Sequence, residues 1–193
     1  EVSGRSMNVG GPADGDMDRA PQAGACASCG HDAGGVPSRD IAAALVATGR
    51  DWQHFLTTVP DHPGGRDGLR VRPGPDRWSA VEYGCHVRDL LALAARRIEL
   101  ALLMGTPSFD SWDHEAEADA AFYREQDPLA VADDIEHGAI ALARLHQRID
   151  AADLKRIGVC NGHPLTIEHL AAGALHEALH HLADARSGVP AAA

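Results

Sequence analysis

The most chemically informative part of the sequence is the histidine-rich segment 166–184. At helical spacing it offers two pairs that can chelate a metal ion, Glu177 with His181 and His176 with His180. At about 100° per residue, the first pair points toward the apolar side of the helix and the second toward solvent. A carboxylate and an imidazole inside a core are costly unless paired or metal-bound. We therefore expect Glu177 and His181 to be ligands, with His176 and His180 as the alternative register.

A third ligand is predicted on an earlier helix. His86 lies at the border of an apolar stripe that also contains Tyr83. Metal sites in helical bundles are built from inward side chains of facing helices, so His86 can join Glu177 and His181. Two histidines and one carboxylate leave a coordination position open for water or substrate. Taken alone, a histidine at such a border is more often a hydrogen-bonded core residue than a metal ligand.

Four further residues are predicted to surround this site. Asp89 and Asp184 each follow a ligand histidine by three residues, so they are candidates for orienting the ligands or lining a pocket. Tyr83 lies on the same helix as His86. Trp112, in the loop segment Trp112-Asp113-His114, is a candidate substrate contact.

A second motif, Cys26-Ala-Ser-Cys29-Gly, is the turn of a zinc knuckle. A structural zinc ion needs two more ligands, and the sequence contains no second Cys-x-x-Cys. The candidates to complete the site are His31, Cys85, Cys160 and His163. Two free thiols in a solvated tail, or a redox dithiol, are the alternatives.

Helical periodicity and end signals predict four long helices. Ser38 is a candidate N-cap for the first, Ser79 and Glu82 form a capping box for the second, and Asp127 with Pro128 begins the third. The predicted ranges are 38–59, 79–104, 128–149 and 166–188, with a short helix near 115–123. No segment alternates like a strand over a useful length. The fold class is therefore all-α, a four-helix bundle over 37–188 after a flexible N-terminal segment, 1–36.

Composition excludes several functions. The chain of 193 residues has a formal net charge of −11, which disfavours nucleic acid and anionic membrane surfaces as partners. We find neither a long apolar span nor a secretory signal, so a cytoplasmic protein is expected. A homodimer is possible, although no exposed apolar helix face identifies an interface.

The order and spacing of these motifs resemble the DinB/YfiT-like superfamily, which includes mycothiol-dependent maleylpyruvate isomerases and bacterial thiol S-transferases. Trp78 with His86 eight residues later matches one ligand position of that family, and Glu177-x-x-x-His181-x-x-Asp184 matches its final helix. Glutamate at the earlier position resembles the isomerase branch. The likeness covers about 38–186.

The resemblance implies a DinB-like four-helix bundle with one divalent metal ion, zinc first and nickel or another divalent ion next. It also implies a low-molecular-weight thiol of the mycothiol or bacillithiol type, bound as thiolate, that attacks a small electrophile. The alternatives are a hydrolase that uses metal-activated water, and a non-catalytic metal- or ligand-binding protein. The sequence does not specify the acceptor substrate.

Overall fold

The computed structural model describes residues 18, 24–27, 29–32, 34–58 and 65–188. Within these residues the chain is mainly helical, as predicted. Much of the segment 1–36, predicted to be flexible, lies outside the described residues. The helices are α1 (Ser38–Thr57), α2 (Gly65–Gly68), α3 (Ala80–Leu103), α4 (His114–Ala120), α5 (Pro128–Gln147) and α6 (Ile167–Gly188).

The four long helices α1, α3, α5 and α6 form the bundle. Helix α1 packs against α5 and α6, and α3 packs against the same two helices, so α1 and α3 lie diagonally across the core. The two ligand-bearing helices, α3 and α6, are therefore neighbours. Gly49 allows the close approach of α1 and α5, since a Cβ there would lie 2.6 Å from the Cβ of Ala139. The Trp52 indole donates to the carbonyl of Ala178 at 2.8 Å, which ties α1 to α6.

The helix starts largely follow the predicted signals. Ser79 and Glu82 form the predicted capping box at the start of α3, and Asp127 caps α5 with Pro128 in its first turn. The expectation for Ser38 is wrong. Pro37 occupies the N-cap position of α1 and Ser38 is already helical.

A small three-stranded sheet, absent from the sequence prediction, lies beside the bundle. It comprises β1 (Ser108–Phe109), β2 (Ile157–Cys160) and β3 (His163–Thr166). Strand β1 pairs in parallel with β2, and β2 pairs antiparallel with β3. The hairpin turn is Asn161-Gly162, and both residues have positive φ (49° and 79°), which suits asparagine and glycine.

Part of the N-terminal segment belongs to the folded structure. The buried guanidinium of Arg97 in α3 donates to the carboxylate of Asp18 at 2.7 Å and to the carbonyl of Asp110 at 2.8 Å. Further along the segment, Cys26 contacts His180 of α6 and the His31 ring stacks on His176 of the same helix. Among the described helices, none has the length and apolar character needed to cross a membrane.

Candidate metal centre

The structure brings the three predicted ligands together in the bundle core. One ligand atom from each of His86, Glu177 and His181 lies within 4.8 Å of the others. All three residues are almost fully buried, with exposed fractions of 2%, 2% and 0%. Glu177 and His181 lie one turn apart on α6 and face His86 across the contact between α3 and α6.

The polar atoms of this cluster lack the hydrogen bonds that burial normally demands. Both ring nitrogens of His86, Oε2 of Glu177 and Nε2 of His181 have no hydrogen-bond partner among the described residues. Oε2 of Glu177 and Nε2 of His181 are 3.3 Å apart but not aligned for a hydrogen bond. Two ligands at zinc bond lengths and a tetrahedral angle are separated by about 3.3 Å. The cluster is therefore compatible with a divalent metal ion.

Asp184 orients the His181 ring. Its Oδ2 lies 3.3 Å from Nδ1 of His181, so a proton at Nδ1 leaves the Nε2 lone pair directed at the cluster. Burial lowers the pKa of His181, but the nearby carboxylates of Asp184 and Glu177 outweigh it and the net pKa is raised. Burial raises the pKa of Asp184, but bonds to His180 and His181 hold it well below its ordinary value. Asp184 is therefore a carboxylate at neutral pH.

His86 is a neutral imidazole. Burial, followed by electrostatic repulsion from His181 and His114, lowers its pKa well below the ordinary value. A neutral imidazole keeps a lone pair, which is the form that coordinates a metal ion.

Aromatic rings enclose the cluster. Trp112 stacks on His86 with ring centroids 4.8 Å apart, and Tyr83 stacks on His181 at 5.5 Å. Both residues were predicted to lie near the site. Trp78 and His114 also approach the His86 ring, at 5.5 and 5.7 Å. The sequence alone did not predict this contact for Trp78, although about two turns of helix separate Trp78 from His86 and place the two residues on similar sides.

Asp89, predicted to orient a ligand or to line a pocket, forms its hydrogen bonds with residues other than His86. Its carboxylate accepts from Arg88 at 2.7 Å and from the Tyr123 hydroxyl at 2.6 Å. Tyr123 in turn packs against Trp78, with ring centroids 6.3 Å apart. Asp89 therefore supports the aromatic wall instead of orienting His86.

The alternative pair His176 and His180 lies in a separate cluster with Cys26 and Cys29, whose ligand atoms are within 4.8 Å of one another. The prediction that this pair faces solvent is wrong, because the side chains of His176 and His180 are only 15% and 5% exposed. Residues of the N-terminal segment lie close to this face of α6, and the His31 ring stacks on His176.

None of the four residues predicted as further ligands for Cys26 and Cys29 belongs to their cluster. Cys85 is buried on α3, where its thiol lies 3.8 Å from the carbonyl of Tyr123, and Cys160 is buried in β2 beside Arg97. His163 is exposed in β3. His31 stacks on His176 and is not one of the four clustered residues. A third group, His180, His181 and Asp184, shares His180 with this cluster and His181 with the core cluster.

Comparison with known proteins agrees with this architecture. The chain resembles YfiT from Bacillus subtilis, described as "a probable metal-dependent hydrolase with an unusual four-helix bundle topology", with a TM-score of 0.66 and 16% sequence identity. The similarity covers 78% of this chain and 85% of that one, and at this identity it shows a shared fold. No curated protein matches the chain at a significant level. Residues 44–185 match the DinB superfamily, and because that span is well over half of the sequence, the protein belongs to the DinB superfamily.

Proposed function

We propose that the protein is a metal-dependent enzyme whose ion, held by His86, Glu177 and His181, activates a nucleophile toward a small molecule. The observation that carries this proposal is the set of buried ligand atoms without hydrogen-bond partners. A purely structural polar cluster of this kind would leave costly unsatisfied groups in the core. Three protein ligands are also the number that catalytic zinc sites use when a fourth position stays open.

The ion would supply Lewis acidity, which lowers the pKa of a thiol or water bound to it. The protein's own residues prepare the site for this chemistry. Asp184 fixes the tautomer of His181, and burial keeps His86 neutral. The rings of Tyr83 and Trp112 cover the ligand imidazoles and restrict the access of bulk water.

For the nucleophile, we propose a low-molecular-weight thiol of the mycothiol type, which would lose its proton to solvent and bind as thiolate. The thiolate would either displace a leaving group such as halide from a small electrophile, or add to an activated double bond that then takes a proton from solvent. The support is the resemblance of the Trp78–His86 and Glu177–His181 motifs to thiol-dependent members of the superfamily, with Glu177 as in the isomerase branch. Zinc is the preferred ion, because histidine and carboxylate ligands suit it and thiolates bind it well. A cytoplasmic location, where thiols stay reduced, fits this proposal.

Water is the second candidate nucleophile. Two histidines and one glutamate are a ligand set of zinc peptidases, in which the ion activates water. The structural similarity to YfiT, described as a probable metal-dependent hydrolase, favours this alternative independently. A hydrolase would turn over ester or amide substrates without added thiol.

The test uses zinc-loaded full-length protein with monochlorobimane, with and without mycothiol or bacillithiol, and in parallel with an ester and amide panel. We expect thiol-dependent bimane conjugation above the uncatalysed rate, abolished in His86→Ala. His137→Ala, which alters an exposed histidine on α5, is the matched control and should retain the rate. Turnover only of esters or amides would replace the thiol proposal by the hydrolase. Absence of all turnover with the metal bound would contradict an enzymatic role.

A further inference from the structure

A second group of metal-binding side chains lies beside the first on the same helix. Cys26 and Cys29 come from the N-terminal segment, and His176 and His180 from α6. The two i, i+4 pairs of α6 are offset by one residue, so Glu177 and His181 serve the core cluster while His176 and His180 point to the N-terminal segment. Each of the two i, i+4 pairs of α6 therefore faces its own group of potential metal ligands.

The backbone around the cysteines forms a tight turn. The amide of Gly30 donates to the carbonyl of Cys26 at 2.7 Å, and the amide of Cys26 donates to the carbonyl of His31 at 2.9 Å. Gly30 has φ of +73°, a left-handed conformation that glycine adopts without strain. This turn places both sulfur atoms on the side that faces α6.

The distances agree with tetrahedral zinc. Sγ of Cys26 lies 3.6 Å from Nδ1 of His180. A sulfur and a nitrogen ligand at zinc bond lengths of about 2.3 and 2.0–2.1 Å, with a tetrahedral angle between them, are separated by about 3.6 Å. A second observation is independent of this distance. Nε2 of His176 is buried and has no hydrogen-bond partner among the described residues.

We propose that Cys26, Cys29, His176 and His180 form a second metal site, a structural zinc site that fastens the N-terminal segment to α6. Two thiolates and two imidazoles complete a four-coordinate zinc shell, which leaves no position for substrate. Soft thiolate ligands also distinguish this site from the oxygen- and nitrogen-lined core cluster.

The second site adjoins the proposed catalytic one through a shared carboxylate. Oδ2 of Asp184 lies 3.2 Å from Nε2 of His180 and 3.3 Å from Nδ1 of His181. With His180 coordinating through Nδ1 and His181 through Nε2, both remaining N–H groups face this one oxygen. Zinc in the second site therefore holds in place the residue that orients a ligand of the first.

The experiment measures metal in full-length protein purified under reducing conditions. We expect about two zinc equivalents per chain, of which a thiol-reactive mercurial releases one, as a closed thiolate site predicts. The double variant Cys26→Ser/Cys29→Ser should retain the other equivalent, and Cys160→Ala, which removes a thiol elsewhere, should retain both. Cobalt-substituted wild-type protein should show thiolate-to-cobalt charge-transfer absorption, a readout that needs no variant to fold.

The outcomes separate this proposal from the proposed function. Loss of activity in His86→Ala with the cobalt–thiolate absorption intact would show two distinct sites. One equivalent of metal in the wild type, with no thiolate absorption from cobalt, would overturn the second site and leave the first untouched. A reversible Cys26–Cys29 disulfide in protein whose reduced form takes up no zinc through these thiols would also overturn it, in favour of a redox dithiol.

Discussion

At the scale of single residues, Asp184 connects the two histidine clusters. Its Oδ2 approaches His180 and His181 at 3.2 and 3.3 Å, and hydrogen bonds to these rings outweigh burial and keep the pKa of Asp184 low. A carboxylate behind a metal-binding histidine fixes the tautomer and increases the basicity of the ligand nitrogen. Asp184 does this for a ligand of each proposed site.

Asp184→Asn tests this role. Asparagine keeps the size of the side chain but loses the charge, so we expect metal affinity to fall about 10–100-fold, as it does when such supporting groups are removed. Competition with a chromophoric chelator measures the change at both sites. Asp134→Asn, an exposed substitution on α5, is the control. Wild-type affinity in Asp184→Asn would show that the carboxylate is only a neighbour.

Helical periodicity placed Glu177 and His181 on the inward side correctly because that side is set by apolar residues on the same helix. It failed for His176 and His180, since a helical projection does not include chain segments that pack on the outer face. The partners of those histidines, Cys26 among them, are separated from α6 by more than a hundred residues. The local signal for such partners was the Cys26-x-x-Cys29 motif, which lacks two of the four ligands that a structural zinc ion needs.

At the scale of elements, the start of α3 depends on one buried carboxylate. Glu82 accepts from the backbone of Ser79 at 2.8 Å and from the Arg72 guanidinium at 2.6 Å, and its side chain is only 2% exposed. Burial raises the pKa of Glu82, but the hydrogen bonds from Arg72 and Ser79 outweigh it and the net pKa is lowered. The ionised form therefore stabilises the helix that carries His86.

This carboxylate predicts a pH dependence of stability. Because its pKa is lower in the folded than in the unfolded state, the stabilisation is full above the unfolded value of 4.5 and is lost as pH falls below it. Glu82→Gln should lower the free energy of unfolding at pH 7 by about 3 kcal/mol, the lower end of the cost of breaking a buried ion pair, because Arg72 is 29% exposed. Urea titrations at pH 7 and pH 4 measure both effects. If Glu82→Gln lowered the free energy of unfolding by the same amount at pH 7 and at pH 4, the account would be contradicted.

The long helices were predictable because capping residues and apolar stripes are local signals. The hairpin β2–β3 was not predicted, since each strand has four residues and is too short to show alternation. A local signal was present, because Asn161-Gly162 is the dipeptide that two-residue hairpin turns favour. Strand β1 has no comparable signal, as its pairing with β2 is set by contact between distant segments.

At the scale of the whole molecule, the described residues of the N-terminal segment make contacts with the bundle. Asp18 pairs with the buried Arg97, and Cys26 contacts His180. The bundle itself was predictable from four amphipathic helices. The diagonal arrangement of α1 and α3 was not predictable from the sequence. Periodicity shows which face of a helix is buried but not which other helix covers it.

Removal of residues 1–36 should therefore destabilise the bundle. The truncation deletes the carboxylate that pairs with Arg97, whose side chain is 2% exposed, and both thiols of the second cluster. We expect a loss on the order of 3–5 kcal/mol in the free energy of unfolding, the cost of breaking a buried ion pair. Removal of 1–17, which retains Asp18 and both cysteines, is the matched control. Equal stability of the two truncated proteins in urea would contradict a structural role for the segment.

The metal content of His86→Ala, measured beside wild type and His137→Ala, tests the central claim most directly. We predict that His86→Ala loses about one equivalent of divalent metal while its helical circular dichroism is retained, and that His137→Ala loses none. This result holds whether or not the second site binds zinc, because among the described residues His86 belongs to the core cluster and not to the cysteine-containing one. Unchanged metal content in a folded His86→Ala protein would contradict the assignment of His86, Glu177 and His181 as the metal ligands.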